Sequence, residues 1–589
     1  MSRTRSVVRP DQDPGRSGAP AVPRRALLAA AGAVSLSAGI TVALGRSAGG
    51  ASASSAAPPA PAVRALSRPA PAAPLAPYTR GTTLAAVSTP SGHGPYRRLG
   101  EGPGWRRVLR ADLAGARPGR EARRRAVAAF VQFTDLHLVD VQHPLRYEYL
   151  RAATASAWRP QEALSVVGAL SLVERVNALR GAPVTGSPLH CVMTTGDNTD
   201  NNSRVELDWF LGLMSGGRVT PDTGDPGHFE GVQGSGLPLY WQPESGLRDA
   251  DKGLGFPRID GYLGAATRTL TSPGLNLPWY STVGNHDFLP GGCWAPGDGW
   301  ATEIATGGRK LMELPAGRGG AFWKQVMKGE DPKGDLFREL LRTEARHLRP
   351  VTPDERRAPV TPEEYVRAHL DPARTGPGPH GHGYTEENLD RQTRYYSFAL
   401  TDEVLGVSLD TTDFGGHYEG SLGQRQFEWL ESTLRKAAQP YVIVFSHHTS
   451  KTMRNPRPDP ARPGERRRDG AQLLDLLERS PKVLAWVNGH SHKNAVTAHR
   501  GLWEISTASH VDFPQLARVV ELVDNKDGTL SLFTTLVESA APSRTDVHDL
   551  STPGLAALYR ELALNAPGAR TTLGGADTDR NTELLIQKP

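Results

Sequence analysis

Five short apolar runs, each stopping at a cluster of carboxylate, amide or imidazole side chains, constrain this 589-residue chain more than any other feature. Run 127–133 is followed by Thr134-Asp135-Leu136-His137, and run 190–195 by Gly196-Asp197-Asn198-Thr199-Asp200. Run 278–283 leads into Gly284-Asn285-His286-Asp287, run 441–445 into Ser446-His447-His448, and run 483–487 reaches Gly489-His490-Ser491-His492. Each run is rich in β-branched or aromatic residues and short enough for a buried strand. Ligand-type residues at the ends of several strands gather in one crevice, so the chain must fold with these five ends side by side. On an extended chain residues i and i+2 share a side, which predicts that Asp135 and His137 act together, as do His490 and His492. Gly196, Gly284 and Gly489 are expected to let the backbone turn there.

Carboxylates mixed with imidazoles suit a divalent transition metal or a pair of them. One D-x-H or G-H-x-H is weak evidence; five blocks in this order are strong. They resemble the calcineurin-like metallophosphoesterase superfamily, whose pattern is D-x-H, G-D-x-x-D, G-N-H-D/E, a histidine after a strand, then G-H-x-H. The likeness spans about residues 127–515, and the arrangement looks most like exported bacterial members. It implies an α/β fold of four layers, αββα, with two mixed β-sheets flanked by helices; strand–helix alternation alone equally allows one doubly wound sheet.

The resemblance also implies roles. One metal takes Asp135, His137 and His492, the other takes Asn285, His447 and His490, and Asp197 bridges them. His286 acts as general acid or positive clamp at the leaving oxygen, oriented by Asp200. The two transition ions, divalent or mixed-valence, with Mn, Fe, Zn and Co not distinguished, clamp a phosphate, and a metal-bridging hydroxide attacks phosphorus. Phosphate mono- or diesters of small molecules are the implied substrates. The alternatives are a metal-dependent hydrolase of another ester or of a pyrophosphate link, and a catalytically silent binding protein. The fourth block departs from the common H-x-P with His447-His448-Thr449; His447 is the expected ligand because it directly follows the strand, with His448 as the competing choice.

Composition narrows the rest. Hydrophobic residues make up 38% and charged residues 22%, enough for a sizeable core. Two cysteines exclude a disulfide scaffold and a cysteine-ligated zinc site. Residues 1–125 carry 20 Lys+Arg against 5 Asp+Glu, and the remainder 48 against 57. The net charge of +6 therefore describes the N-terminal fifth, and no basic stripe with interleaved aromatics marks a nucleic-acid surface. Arg24-Arg25 precede the uncharged run 26–45, and Ala51-Ser52-Ala53 offer a cleavage site. This predicts a twin-arginine export signal over 1–53 that engages that export machinery and touches the membrane only transiently, leaving the protein secreted or in the cell envelope. An uncleaved anchor is the alternative. Residues 54–90 read as an Ala/Pro-rich linker, 91–545 as the catalytic domain, and 546–589 as a tail packed outside.

Residues 395–400 with 404–409, and 521–524 with 529–533, read as hairpins. Residues 160–179, 424–438 and 471–479 have helical spacing. Two stretches, about 215–275 and 290–390, break the rhythm and read as insertions that either cover the site or decorate the surface. Asp140 and His143, Asp410 and Asp413, and His510 and Asp512 are weaker candidates near the site. Arg394 and Arg425 read as solvated, Cys191 as a buried thiol, and a Cys191–Cys293 bridge as possible only by virtue of export.

Overall fold

A computed structural model describes residues 62–63, 76–297 and 299–589. The expected export signal lies outside the described residues, as does most of the expected linker. Among the described residues no helix is long and apolar enough to cross a membrane.

Two seven-stranded mixed sheets form the frame. In the first, the order is Val108–Leu113, Thr582–Gln587, Thr529–Glu538, Leu516–Asp524, Arg125–Phe133, Val192–Thr195 and Trp279–Thr282. Its last three strands are mutually parallel, so the first three ligand blocks leave the same end of the sheet. In the second, the order is Ala62–Val63, Tyr396–Thr401, Val404–Ser408, Tyr441–Phe445, Val483–Asn488, Leu502–Ser506 and Ala495–His499. Tyr441–Phe445 and Val483–Asn488 are parallel and carry the other two blocks.

Side-chain alternation decides which face meets what. In Tyr441–Phe445, Ile443 and Phe445 join the core between the sheets, while Val442 and Val444 join a separate core with Trp429, Leu430, Leu473 and Leu477. Those four belong to helices Gln424–Lys436 and Gly470–Glu478, which therefore cover the outer face of the second sheet. Phe130 meets Phe445 edge-on at 5.3 Å, and Tyr280 stacks on Phe398 at 3.9 Å. These contacts, with the 2.8 Å hydroxyl bond between Thr282 and Ser408, join the sheets face to face. Helices Ser165–Asn177, Arg204–Ser215 and Thr552–Asn565 feed the first sheet's side of the core. The result is the expected four-layer αββα arrangement, and it excludes the single doubly wound sheet.

The C-terminal segment departs from expectation. Helix Thr552–Asn565 is buried along nearly its whole length, and strand Thr582–Gln587 pairs with Thr529–Thr534 inside the first sheet. The reason is legible afterwards: Leu584 and Ile586 alternate onto the inter-sheet core. The segment is framework, not an outer appendage. At the other end, Ala86–Ser91 already forms a hairpin with Arg98–Pro103.

Both insertions are packed. The first buries Tyr240, Trp241 and Tyr262. In the second, helices Ala316–Met327 and Asp335–Thr343 build a core of their own with Leu145, Tyr147, Tyr149, Trp294 and Trp300. Three buried ion pairs fasten these insertions to the loop after the first ligand block. Lys310 meets Glu148 at 3.1 Å, Arg357 meets Asp140 at 3.3 Å, and Arg151 meets Asp251 at 2.6 Å. Asp140 and His143 are thus framework residues; the Arg357 backbone carbonyl lies 3.0 Å from His143 Nε2.

Candidate metal centre

The five blocks meet at one place. Asp135, His137 and His492 offer ligand atoms within 4.8 Å of one another, as do Asp135, Asp197 and His447, and as do His447, His448 and His490. Asp197 lies between the groups, its Oδ2 3.1 Å from His447 Nε2 and 3.6 Å from His137 Nε2.

The local backbone differs from the extended geometry expected of D-x-H and G-H-x-H. Asp135, His137, Asp197, His490 and His492 all have positive φ, between 43° and 59°. Left-handed conformations are uncommon for residues with a side chain and cost about 1–3 kcal/mol each. Hydrogen bonds between blocks hold them. Asp135 N donates to the Gly196 carbonyl and His137 N to the Asp197 carbonyl, each at 3.0 Å. His490 N donates to the Asp135 carboxylate at 3.1 Å. Of the three glycines, only Gly196 has positive φ, at 87°. Gly284 and Gly489 serve close approach instead. A Cβ on Gly284 would sit 2.2 Å from Asp197 Oδ1, and one on Gly489 1.9 Å from Thr134 Oγ1.

Outward-facing nitrogens fix the tautomers. His137 Nδ1 faces Asp200 Oδ1 at 2.9 Å, and His492 Nδ1 faces Asp512 Oδ2 at 2.7 Å. In the neutral ring each then carries its proton on Nδ1 and turns Nε2 inward. Those two Nε2 atoms stand 3.3 Å apart. His447 Nδ1 faces the Thr195 carbonyl at 2.9 Å, so its lone pair faces Asp197 and His490 Nδ1, the latter at 3.2 Å. Facing lone pairs with carboxylates beside them repel unless a cation lies between. The buried Asn285 Oδ1 and His490 Nε2 lack any hydrogen-bond partner. These atoms fit a pair of metal ions.

Without a metal ion the same carboxylates draw protons onto the imidazoles instead. Burial pulls His447 and His492 down, yet Asp197 and Asp135 outweigh it and hold both imidazoles up at about 9. Burial would raise Asp197, but His447 and His286 keep it well below the ordinary carboxylate range. His490 is pushed well down by burial and by His448 and His447.

His448 is fully engaged elsewhere, Nδ1 with Thr411 Oγ1 at 2.8 Å and Nε2 with the Tyr418 carbonyl at 3.0 Å. This leaves His447 as the member of the pair facing Asp197. Asp287 receives the backbone N–H groups of Asn198, Thr199 and Gly284 at 2.8–3.0 Å, tying the second block to the third. The expected Asp200–His286 pairing is present in different form. His286 Nδ1 bonds the Asp200 backbone carbonyl at 2.6 Å, while the Asp200 carboxylate serves His137 and Arg146. A carboxylate between a buried guanidinium and an imidazole is already fully used. His286 lies edge-on to His137 at 4.7 Å, and burial lowers it despite Asp197.

Arg394 pairs with Asp410 at 2.8 Å, and Asp413 with Arg467 at 3.3 Å, away from the cluster. Cys191 and Cys293 are both buried and are not joined by a disulfide. Asp512, weighed above as a pocket-rim residue, holds His492. Arg146, Arg159 and Glu162, which carry no signal in the sequence, stand behind Asp200 and Asp512.

The decisive observation is that the D-x-H, G-D-x-x-D, G-N-H-D, H and G-H-x-H blocks converge, in order, between two face-to-face mixed sheets. This arrangement agrees with the resemblance to the calcineurin-like metallophosphoesterase superfamily. No family model matches it. A glycerophosphodiester phosphodiesterase, GpdQ, from Enterobacter lignolyticus (strain SCF1) is 29% identical over 103 residues, which is 18% of this chain and 36% of that protein. Among solved structures, a dimetal phosphatase from Danio rerio aligns with TM-score 0.32 and 12% identity, over 70% of this chain and all of that one. The purple acid phosphatase PPD1 from yellow lupin (Lupinus luteus) aligns with TM-score 0.24 and 12% identity, over 72% of this chain and 53% of that one.

Proposed function

We propose that this chain is an exported, metal-dependent phosphoric ester hydrolase with two transition ions. One ion would be held by Asp135, His137 and His492, the other by Asn285, His447 and His490, with Asp197 shared. The observation that carries this reading is the pair of inward Nε2 atoms of His137 and His492, 3.3 Å apart beside Asp135 and Asp197. Ions held there would supply Lewis acidity toward a phosphoryl oxygen and an activated water.

The chain's own residues do the rest. Asp200 and Asp512 fix two imidazoles with their lone pairs inward. Asp287 locks the Asn285-His286 turn against the second block. His286, its Nδ1 committed to the Asp200 carbonyl, has Nε2 to deliver or stabilise a proton at the leaving oxygen. Export through the twin-arginine route, supported by Arg24-Arg25 and the run 26–45, belongs to the same proposal.

The test uses protein lacking residues 1–53, loaded separately with Mn, Zn, Fe and Co, on p-nitrophenyl phosphate and on its bis-ester. The partial relative is named as a diesterase, so the bis-ester is the expected better substrate. Asp197→Ala and Asn285→Ala should remain folded and lose turnover. Two bound ions without turnover on either ester would favour the non-phosphate hydrolase, and neither ions nor turnover would sink the enzyme reading.

A further inference from the structure

Behind the cluster runs a buried chain of ion pairs. Asp512, on His492, is gripped by Arg159 Nε at 2.7 Å. Arg159 reaches Glu162 at 3.2 Å, Glu162 pairs with Arg146, and Arg146 pairs with Asp200, on His137. Arg146 also meets Glu148 at 3.1 Å, and Glu148 meets Lys310 of the second insertion at 3.1 Å. Arg146, Arg159 and Glu162 are each no more than 6% exposed. Charges alternate from Asp512 to Asp200, so Arg159, Glu162 and Arg146 each have an opposite neighbour on both sides.

The two ends of this chain are the two imidazoles of one proposed half-site and of that half-site alone. His447, from the other half, is held by the neutral Thr195 carbonyl, and Asn285 by the Gly292 carbonyl at 2.8 Å. Partners that orient ligating imidazoles commonly change metal affinity by about 10–100-fold when lost. Here Asp200 and Asp512 cannot settle independently, because Arg146 and Arg159 share Glu162 between them.

We propose that Arg146, Glu162 and Arg159 are positioning residues that tie His137 and His492 into one unit and so set the affinity of a single metal half-site, with the insertion's Lys310–Glu148 pair as its outer anchor. This rests on the two-metal reading above. No covalent or redox step is involved.

The experiment is stepwise titration of Mn and of Zn into chelator-treated protein, followed by calorimetry and by metal analysis after dialysis. Wild type should hold two ions. Glu162→Gln, close in shape and uncharged, should lower one of the two affinities about 10–100-fold and leave the other within about 2-fold. Arg159→Lys keeps the charge but loses the two-pronged hold on Asp512, and should move the same affinity in the same direction by less. It also decides the matter if Glu162→Gln does not fold. Arg151→Lys, in an equally buried ion pair outside the chain, is the control and should lower melting temperature with both affinities intact. Two unchanged affinities in folded Glu162→Gln and Arg159→Lys would overturn the proposal, as would equal loss at both sites. Fewer than two ions in wild type would instead overturn the two-metal reading beneath it.

Discussion

At the residue scale, the cluster is a set of side chains whose outward atoms are spoken for. The Asp200 carboxylate serves His137, while its backbone carbonyl serves His286. Two substitutions separate these duties. Asp200→Asn keeps the carbonyl, so its loss should appear as metal leaving during dialysis. The dependence of rate on leaving-group pKa should stay unchanged. His286→Ala should do the reverse, retaining metal while slowing esters of poor leaving groups most, because an activated leaving group needs no proton. Equal losses for good and poor leaving groups would contradict the acid role.

The same atoms predict a pH dependence. In chelator-treated protein His447 and His492 sit at about 9, above the ordinary value of about 6.5 for histidine. A group raised on folding contributes stability that is fully present below its unfolded pKa and lost as pH rises through its folded pKa. Melting temperature of the stripped protein should therefore fall between about pH 6.5 and 9.5. Bound metal should flatten that slope, since a coordinated imidazole carries no proton to lose. A flat profile without metal would show that the Asp197–His447 and Asp135–His492 pairs do not form.

The residues of the cluster were legible in the sequence because each stands shortly after its strand, so type and position coincide. Their second partners were not. Arg146, Arg159 and Glu162 look like any surface charge until the fold buries them, and only the contact with Asp200 and Asp512 gives them meaning. Asp512 left a faint trace, five residues past Thr507 on a run that ends near the crevice. The positive φ of Asp135 and His137 was hidden because side-chain spacing carries no record of backbone handedness.

At the element scale, the strands and helices of the framework followed their periodicity. Residues 441–445 and helix Gln424–Lys436 lie where alternation and an i, i+3, i+7 stripe put them. The second insertion holds two helices, Ala316–Met327 and Asp335–Thr343, separated where Gly329 and Gly334 take positive φ. The insertions broke the strand–helix rhythm because much of their order comes from long-range ion pairs and aromatic packing, neither of which has a local period. Lys310 shows how firmly one of them is held: its ammonium is fully buried against Glu148 and the Val141 carbonyl at 2.8 Å. Lys310→Met leaves Glu148 buried without that partner and should cost about 3–5 kcal/mol, read by urea denaturation. A loss under about 1 kcal/mol would mean that the pair is solvated.

At the scale of the whole molecule, charge and function are separated along the chain. The basic excess lies in residues 1–125, while the part that builds both sheets and the cluster is acidic in balance. The C-terminal strand is part of that architecture. Removing residues 577–589 uncovers an edge of Thr529–Glu538 and the inter-sheet side chains beneath Leu584 and Ile586. The truncated protein should be insoluble or molten, judged by solubility and by loss of a cooperative thermal transition. A soluble, cooperative truncation would show that the strand only decorates the sheet.

That strand also sets the order of assembly. Val108–Leu113 has Thr582–Gln587 as its parallel neighbour in the first sheet. Strands far apart in sequence must meet before this edge of the sheet exists, and long-range parallel pairing is intrinsically slow. Docking of Thr582–Gln587 should therefore be among the late events when the protein refolds.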